Sequence, residues 1–431
     1  MNPQTTPASS PSATTFATPW GTLDLTRFPV DPRERLRAWD AADEYLLRHL
    51  AGETDSAGGA ATELAGRRIV VLGDRWGALT TALATAPSAE SATAPSAEST
   101  TEPSTGPAPA PAPYEPVQIS DSHLGRQATR ENLARAGTAV DEARLLTTRD
   151  TPPERIDVLL VRVPKSLALL EDQLHRLAPA IHPGTVVIGT GMVTEIHTST
   201  LQLFEKVLGP TRTSLAVRKA RLILCTPDPA LDRGPNPWPH RYALPSDIGA
   251  AAGRTVVNHA GTFCAERLDI GTRFFLAHLP TPAPGDRVVD LGCGNGVVGT
   301  AAALAGPGAE LLFVDESHQA VASAEETFRT NLGPDAPAEF RTADALDPAV
   351  FAPGSVDLVL NNPPFHSHQA TTDATAWRMF TGARRALRPG GELWVVGNRH
   401  LGYHVKLRKL FGNCQLVAGN PKFVVLRAVK R

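Results

Sequence analysis

The chain has 431 residues, enough for two or three domains that each bury a core of their own. Its 42 lysines and arginines nearly balance 44 aspartates and glutamates, which excludes a uniformly basic coat for nucleic acid; any polyanion must be met by a local patch. The four cysteines, Cys225, Cys264, Cys293 and Cys414, form no C-x-x-C pair and no zinc-site spacing, so a reduced cytoplasmic setting and no metal are expected.

Residues 1–19 are mostly Thr, Ser, Pro and Ala, without the basic start or apolar run of a targeting peptide, and are expected to form a disordered tail. No later stretch is apolar for long enough to span a bilayer, so no membrane is expected. A first domain is expected over residues 20–230. It opens with a helix in which Trp39, Ala42, Leu46 and Leu50 share a face. "RIVVLGDRWGALTTALA" from Arg68 reads as a strand, a glycine turn and an Ala-rich helix. Residues 85–113 hold the near-repeat TAPSAESA/TAPSAEST and a Pro-Ala alternation, which cannot build a core and read as a disordered insertion. "IDVLLVRVPKS" from Ile156 is an apolar strand broken at a proline, "LAPAIHPGTVVIG" from Leu177 a helix end, turn and strand, and "ARLILCTP" from Ala220 a last strand. Residues 231–252, with "RGPNPWPHRYALP" from Arg233, read as a linker.

The same four segments recur over residues 253–431: "RVVDLGCGNGVVGTAAA" from Arg287, "VDLVLNNPPFH" from Val356, "ALRPGGELWVVG" from Ala386 and "KFVVLRAV" from Lys422. This parallel predicts an internal duplication of one α/β domain with a mostly parallel sheet and helices on both faces. Strands are predicted at Arg287–Leu291, Leu311–Asp315, Glu339–Ala343, Val356–Asn361, Glu392–Gly397, Cys414–Ala418 and Phe423–Val429. The second copy therefore has seven.

"DLGCGNG" places Gly292, Gly294 and Gly296 between the first strand and first helix of that copy, where a ligand can approach the backbone and the helix N-terminus. Asp290 precedes the turn, and Asp315 ends the next strand, where a carboxylate can hold ribose hydroxyls. A dinucleotide turn would need G-x-G-x-x-G, and Val297 occupies the third glycine's place. S-adenosylmethionine, with its cationic sulfonium and ammonium, suits an acidic Asp290 better. Here the chain resembles the S-adenosylmethionine-dependent methyltransferases of the Rossmann-like class, with Asp290 to Gly296 as their first motif and Asp315 as their ribose acid; the resemblance also implies that Asp344 meets the adenine amine.

Asn362-Pro363-Pro364-Phe365 resembles the N-P-P-[FY] motif of methyltransferases that modify planar exocyclic nitrogen. The prolines end a strand and stiffen the corner. The resemblance implies that the Asn362 oxygen and the Pro363 carbonyl accept the two amine N–H bonds and that Phe365 stacks on the base. His366 is expected either to relay the released proton or to steady the loop, while Asn361 belongs to the strand. Read with "GTFCAERLDIGTRFFLAHLP" from Gly261, "NRHLGYHVKLRKLFGNC" from Asn398, "RAWDAADEYLL", "VPKSLALLEDQL" and "GPTRTSLAVRKARL", the chain resembles the bacterial ribosomal RNA guanine-N2 methyltransferases, nearest the branch acting on large-subunit (23S) RNA. That resemblance implies a monomeric cytoplasmic enzyme working on ribosomal RNA, with a degenerate methyltransferase-like domain that binds RNA ahead of the catalytic one. It also places Phe263, Asp269 and Thr272 beside the cofactor pocket, Asp269 being equally a helix cap.

The first copy lacks the chemistry: Val71 replaces Asp290, Arg75 replaces Gly294, and Val161-Arg162-Val163-Pro164 replaces Asn361-Asn362-Pro363-Pro364. Lys165, Arg212, Arg218, Lys219, Arg221, Arg399, Lys406, Arg408 and Lys409 are candidate phosphate contacts. Other readings are a 16S guanine-N2 enzyme, an adenine-N6 or protein glutamine methyltransferase, and a non-catalytic RNA-binding assembly factor.

Overall fold

The computed structural model describes residues 14–31, 34–53, 61–87, 114–364 and 369–431. The chain divides into two compact units, Met1–Asn236 and Pro237–Arg431.

Unit 1 begins with a hairpin, β1 (Thr15–Thr18) and β2 (Gly21–Asp24), and continues through α1 (Ala41–Leu50), β3 (Ile69–Leu72), α2 (Ala78–Thr85), β4 (Val117–Ser120), α3 (His123–Arg135), β5 (Leu145–Thr147), β6 (Ile156–Arg162), α4 (Leu167–Leu177), β7 (Ile181–Met192), α5 (Thr198–Val207), β8 (Thr211–Thr213) and β9 (Ala220–Cys225). Unit 2 follows with β10 (His240–Ala243), β11 (Thr255–Asn258), α6 (Ile270–Leu276), β12 (Arg287–Leu291), α7 (Val297–Ala305), β13 (Glu310–Asp315), α8 (His318–Leu332), β14 (Ala338–Thr342), β15 (Val356–Asn361), α9 (Gln369–Ala386), β16 (Leu387–Asn398), α10 (Tyr403–Phe411), β17 (Gln415–Gly419) and β18 (Phe423–Val429).

Each unit holds one seven-stranded sheet, ordered β5-β4-β3-β6-β7-β9-β8 in the first and β14-β13-β12-β15-β16-β18-β17 in the second. In both, the last strands run antiparallel, β7 with β9 and β9 with β8, β16 with β18 and β18 with β17, and the other pairs are parallel. The predicted α/β fold, a Rossmann-like domain present twice, is the fold observed. The alternating side chains of β12 show why the sheet must be covered twice: Val289 and Leu291 enter the core under α9 and α10, and Val288 enters the one that holds Phe275 and Phe328. In each sheet the chain leaves its first strand in one direction and later returns on the other side, so the carboxyl ends of β12 and β15 flank a switch-point crevice.

Two expectations need correction. The tail does not reach residue 19: Phe16 lies in β1, fully buried, 4.7 Å from the Trp39 ring, and that one aromatic is enough to fix the hairpin. Nor are residues 231–252 merely a linker. β10 pairs antiparallel with β11, and Tyr242 and Leu244 pack with Val256 and Leu276. Residues 88–113, most of the expected insertion, lie outside the described residues.

Candidate cofactor and base-acceptor site

Strand registers place the two units position for position. Val71 faces Leu160 of β6 as Asp290 faces Leu360 of β15, so Gly73, Arg75 and Gly77 correspond to Gly292, Gly294 and Gly296. Two of these glycines are required by packing in both copies. Gly77 and Gly296 both have φ in the left-handed region, +79° and +74°, and a Cβ would come within 2.6 Å of the Thr129 and Ala324 Cα atoms respectively. Gly73 (+76°) and Gly292 (+72°) also keep this conformation, a Cβ meeting the Arg162 carbonyl in one and the Met379 side chain in the other. Gly294 differs. A Cβ there would meet nothing within 4 Å, so the space beside its backbone is open.

Two carboxylates frame that turn. Asp315, half-buried at the end of β13, accepts the Gly294 and Ser317 backbone N–H groups, each at 3.0 Å. Asp290 is buried at the end of β12 and accepts the Gly299 N–H of α7 at 2.7 Å. Burial raises the Asp290 carboxyl to about 8, with a further push from Asp315, and burial also raises Asp315. Asp344, expected at the adenine, pairs with Arg378 at 3.4 Å.

The strand-end asparagines are both held by their amide nitrogens. Asn361 is fully buried and donates to the Leu291 carbonyl at 2.7 Å, tying β15 to the start of the glycine turn. Asn362 donates to Thr272 Oγ1 at 3.0 Å, and its Oδ1 is buried without a hydrogen-bond partner among the described residues. Pro363 is buried and Pro364 exposed. Phe365 and His366 lie outside the described residues. Asp269 caps α6, as its alternative reading had it, and Phe263 is half exposed. The hydroxyl of Thr272 is engaged by Asp269 and Asn362, a link the sequence reading missed because the two partners are 90 residues apart.

The chain matches the model of the Methyltransferase small domain over residues 253–427 and that of the RLMG N-terminal domain over 13–102 and 108–229. It is 67% identical over 416 residues to the Ribosomal RNA large subunit methyltransferase G of Streptomyces avermitilis, covering 96% of this chain and 99% of that protein. The chain belongs to the ribosomal RNA large subunit methyltransferase G family. The family's member from Pseudomonas aeruginosa PAO1 is 46% identical over 422 residues, with 96% of this chain and 99% of that protein covered. Among solved structures, a T. thermophilus 16S rRNA N2 methyltransferase in complex with AdoMet and guanosine shares the fold with a TM-score of 0.66 at 21% identity, covering 97% of this chain and 98% of that one.

The methyltransferase domain takes S-adenosylmethionine as its donor, and the residues present fit it. The open space at Gly294 leaves room against the turn, Asp315 stands at the carboxyl end of β13, where a carboxylate can hold hydroxyls, and the buried Asp290 suits a cationic ligand. Among the described residues, no three His, Cys, Asp or Glu side chains gather where a metal could sit, and no helix is long and apolar enough to cross a membrane.

Proposed function

We propose that this protein methylates the exocyclic N2 of one guanosine in 23S ribosomal RNA, the target base being flipped into the corner formed by Asn362, Pro363, Pro364 and Phe365. The observation that carries the reading is the buried Oδ1 of Asn362, just past the carboxyl end of β15 and without a hydrogen-bond partner among the described residues, because an unpaired buried acceptor costs about 1–3 kcal/mol and an arriving donor would relieve that cost. The amine of guanine is such a donor. Its lone pair is delocalised into the ring, and holding one N–H on Asn362 Oδ1 and the other on the Pro363 carbonyl turns that lone pair toward the donor methyl. S-adenosylmethionine, when bound, supplies a methyl group on a sulfonium; the N2–C bond forms as the S–C bond breaks, the sulfur keeps the electron pair, and N2 sheds a proton. Phe365 would stack on the base, and His366 would relay the proton or steady the loop.

In a duplex this amine lies in the minor groove beside its partner base, so the pocket requires a base out of its stack. RNA that is naked or partly assembled meets that need at lower cost than a finished ribosome. Unit 1 would provide the grip, as a degenerate domain over residues 20–230, and the protein would work as a cytoplasmic monomer. Asn362→Ala should lower single-turnover transfer to 23S RNA by on the order of a hundredfold or more, with S-adenosylmethionine affinity kept within a few-fold. Nuclease and protease digestion of the labelled product tests the substrate class; label that survives in peptide rejects RNA.

A further inference from the structure

The Asn362 amide can serve the amine only if its oxygen, and not its nitrogen, faces the base. An asparagine side chain is nearly symmetric in shape, so something must fix which end points where. The structure supplies a short chain of hydrogen bonds that does so. Asp269, the N-cap of α6, accepts at Oδ2 both the backbone N–H of Thr272 at 2.9 Å and the Thr272 hydroxyl at 3.3 Å. An ionised carboxylate has no proton to give, so the hydroxyl must be the donor in that pair, and the hydroxyl oxygen is left as an acceptor. The group that reaches it from just past β15 is Asn362 Nδ2, at 3.0 Å. Oδ1, the other end of that amide, is left without a partner among the described residues.

Unit 1 keeps the capping aspartate and changes the other two positions together. "WDAADEYLLRHL" from Trp39 and "LDIGTRFFLAHL" from Leu268 align without a gap, so Asp40 corresponds to Asp269 and Asp43 to Thr272, while register places Arg162 at the position of Asn362. Asp40 caps α1 as Asp269 caps α6. Arg162, an all-donor side chain, faces three carboxylates, Asp40 Oδ2 at 2.5 Å, Glu195 Oε2 at 2.9 Å and Asp43 Oδ1 at 3.3 Å. Where the asparagine needs a hydroxyl that accepts from it, Thr272 is present; where an arginine replaces the asparagine, a carboxylate replaces the threonine.

We propose that Thr272 is the positioning residue of the methyl transfer, its hydroxyl polarised by Asp269 so as to hold Nδ2 of Asn362 and present Oδ1 to the target amine. The inference rests on the reading of Asn362 given above. It also moves Thr272 from the cofactor's contacts to the substrate's.

The test compares the full-length wild-type chain with Thr272→Val, Thr272→Ser, Asn362→Ala and the Thr272→Val/Asn362→Ala double variant. It uses single-turnover methylation of protein-free 23S RNA and calorimetric titration with S-adenosylmethionine. Thr272→Val keeps the shape and removes the acceptor, so transfer should slow on the order of tenfold to a hundredfold while cofactor affinity stays within a few-fold. Thr272→Ser should restore most of the rate. In the Asn362→Ala background Thr272→Val should add no further loss, because the hydroxyl has nothing left to orient. A Thr272→Val rate equal to wild type overturns the proposal. So does an undiminished further loss in the Asn362→Ala background, a serine variant as slow as the valine one, or a fall in cofactor affinity that matches the fall in rate. If Asn362→Ala itself transfers at the wild-type rate, the reading of Asn362 fails and the proposal falls with it; full loss there beside an active Thr272→Val rejects the positioning role alone.

Discussion

The two glycine turns, Leu72 to Gly77 and Leu291 to Gly296, have one backbone and two uses. The amide that opens the helix, Thr80 N in unit 1 and Gly299 N in unit 2, is satisfied by a buried carboxylate in both. In unit 2 the carboxylate comes from the strand, Asp290; in unit 1 Val71 holds that place, and Asp74, from within the turn, bonds the Thr80 amide and hydroxyl instead, each at 2.8 Å. At Gly294 unit 2 leaves open space. Unit 1 has Arg75 there, paired with Glu195 at 2.5 Å and Asp40 at 3.4 Å. The other acid positions change as well: register places Ser120 opposite Asp315's role and Arg149 opposite Asp344's. In unit 1 an ion cluster takes the place that unit 2 leaves open, while the sheet, the turn and the packing glycines are the same. Glycine alone therefore says little about a cofactor; what separates the sites is which glycine faces empty space.

The largest expected effect sharpens this contrast. Arg162 is fully buried between Asp40, Asp43 and Glu195. Burial alone would lower its pKa, and the carboxylates of Asp43, Asp40 and Glu195 more than offset that, raising it and keeping the guanidinium charged. Arg162→Ala would leave three carboxylates facing one another around Arg75 and should destabilise unit 1 by about 3–5 kcal/mol, read from denaturant unfolding. Below the unfolding transition its transfer rate at saturating RNA should equal wild type. A hundredfold slower rate would mean that the arginine does in unit 1 part of what Asn362 does in unit 2.

Asp290 gives the next effect. Its carboxyl is held near 8 by burial and then by Asp315, so at neutral pH much of it is protonated before a cation arrives. A cationic ligand favours the ionised form, and binding should release a proton. Affinity for S-adenosylmethionine should then climb with pH by up to about tenfold per unit and flatten above about 8. Asp290→Asn keeps an acceptor for the Gly299 amide and cannot ionise, so this part of the pH dependence should disappear. Calorimetry in buffers of different ionisation heat measures the released proton directly; equal release by both proteins would remove Asp290 from cofactor binding.

Most of the fold was legible because the duplicated strands are dense apolar runs ended by glycine or proline, and β12, β15 and β18 fall where those runs predict. The hairpin at Phe16 was not, since a single aromatic in a Thr, Ser, Pro and Ala stretch carries no periodicity. β10 was hidden by its neighbouring prolines, which mark a connector as readily as a strand entry. At the site the motif residues were legible one by one. Their couplings were not: the Thr272–Asn362 bond joins a short helix to a distant strand, and the exchange of Asp290 for Asp74 moves a carboxylate three places along the turn, so a column-by-column comparison records only a loss.

That exchange yields the smallest effect and the clearest sign. If Asp74 has taken over the structural half of Asp290's work, Asp74→Ala leaves the Thr80 amide and hydroxyl without their acceptor and should cost unit 1 about 1 kcal/mol, as for loss of a helix cap. Burial raises the Asp74 pKa, and the two Thr80 bonds pull it back only in part. An acid whose folded pKa lies above its unfolded value, about 3.9, stabilises fully below that unfolded value and loses the contribution as pH rises through the folded one. Wild type carries that loss and the alanine variant does not. The gap between their unfolding midpoints should therefore be wider at pH 5 than at pH 8, and Asp43, raised by its own burial and in part by Asp74, adds to that trend because removing Asp74 relieves part of the push. A gap that widens with pH would mean that Asp74 is stabilised as the ion, and that the first copy kept an acidic turn for a charged partner after all.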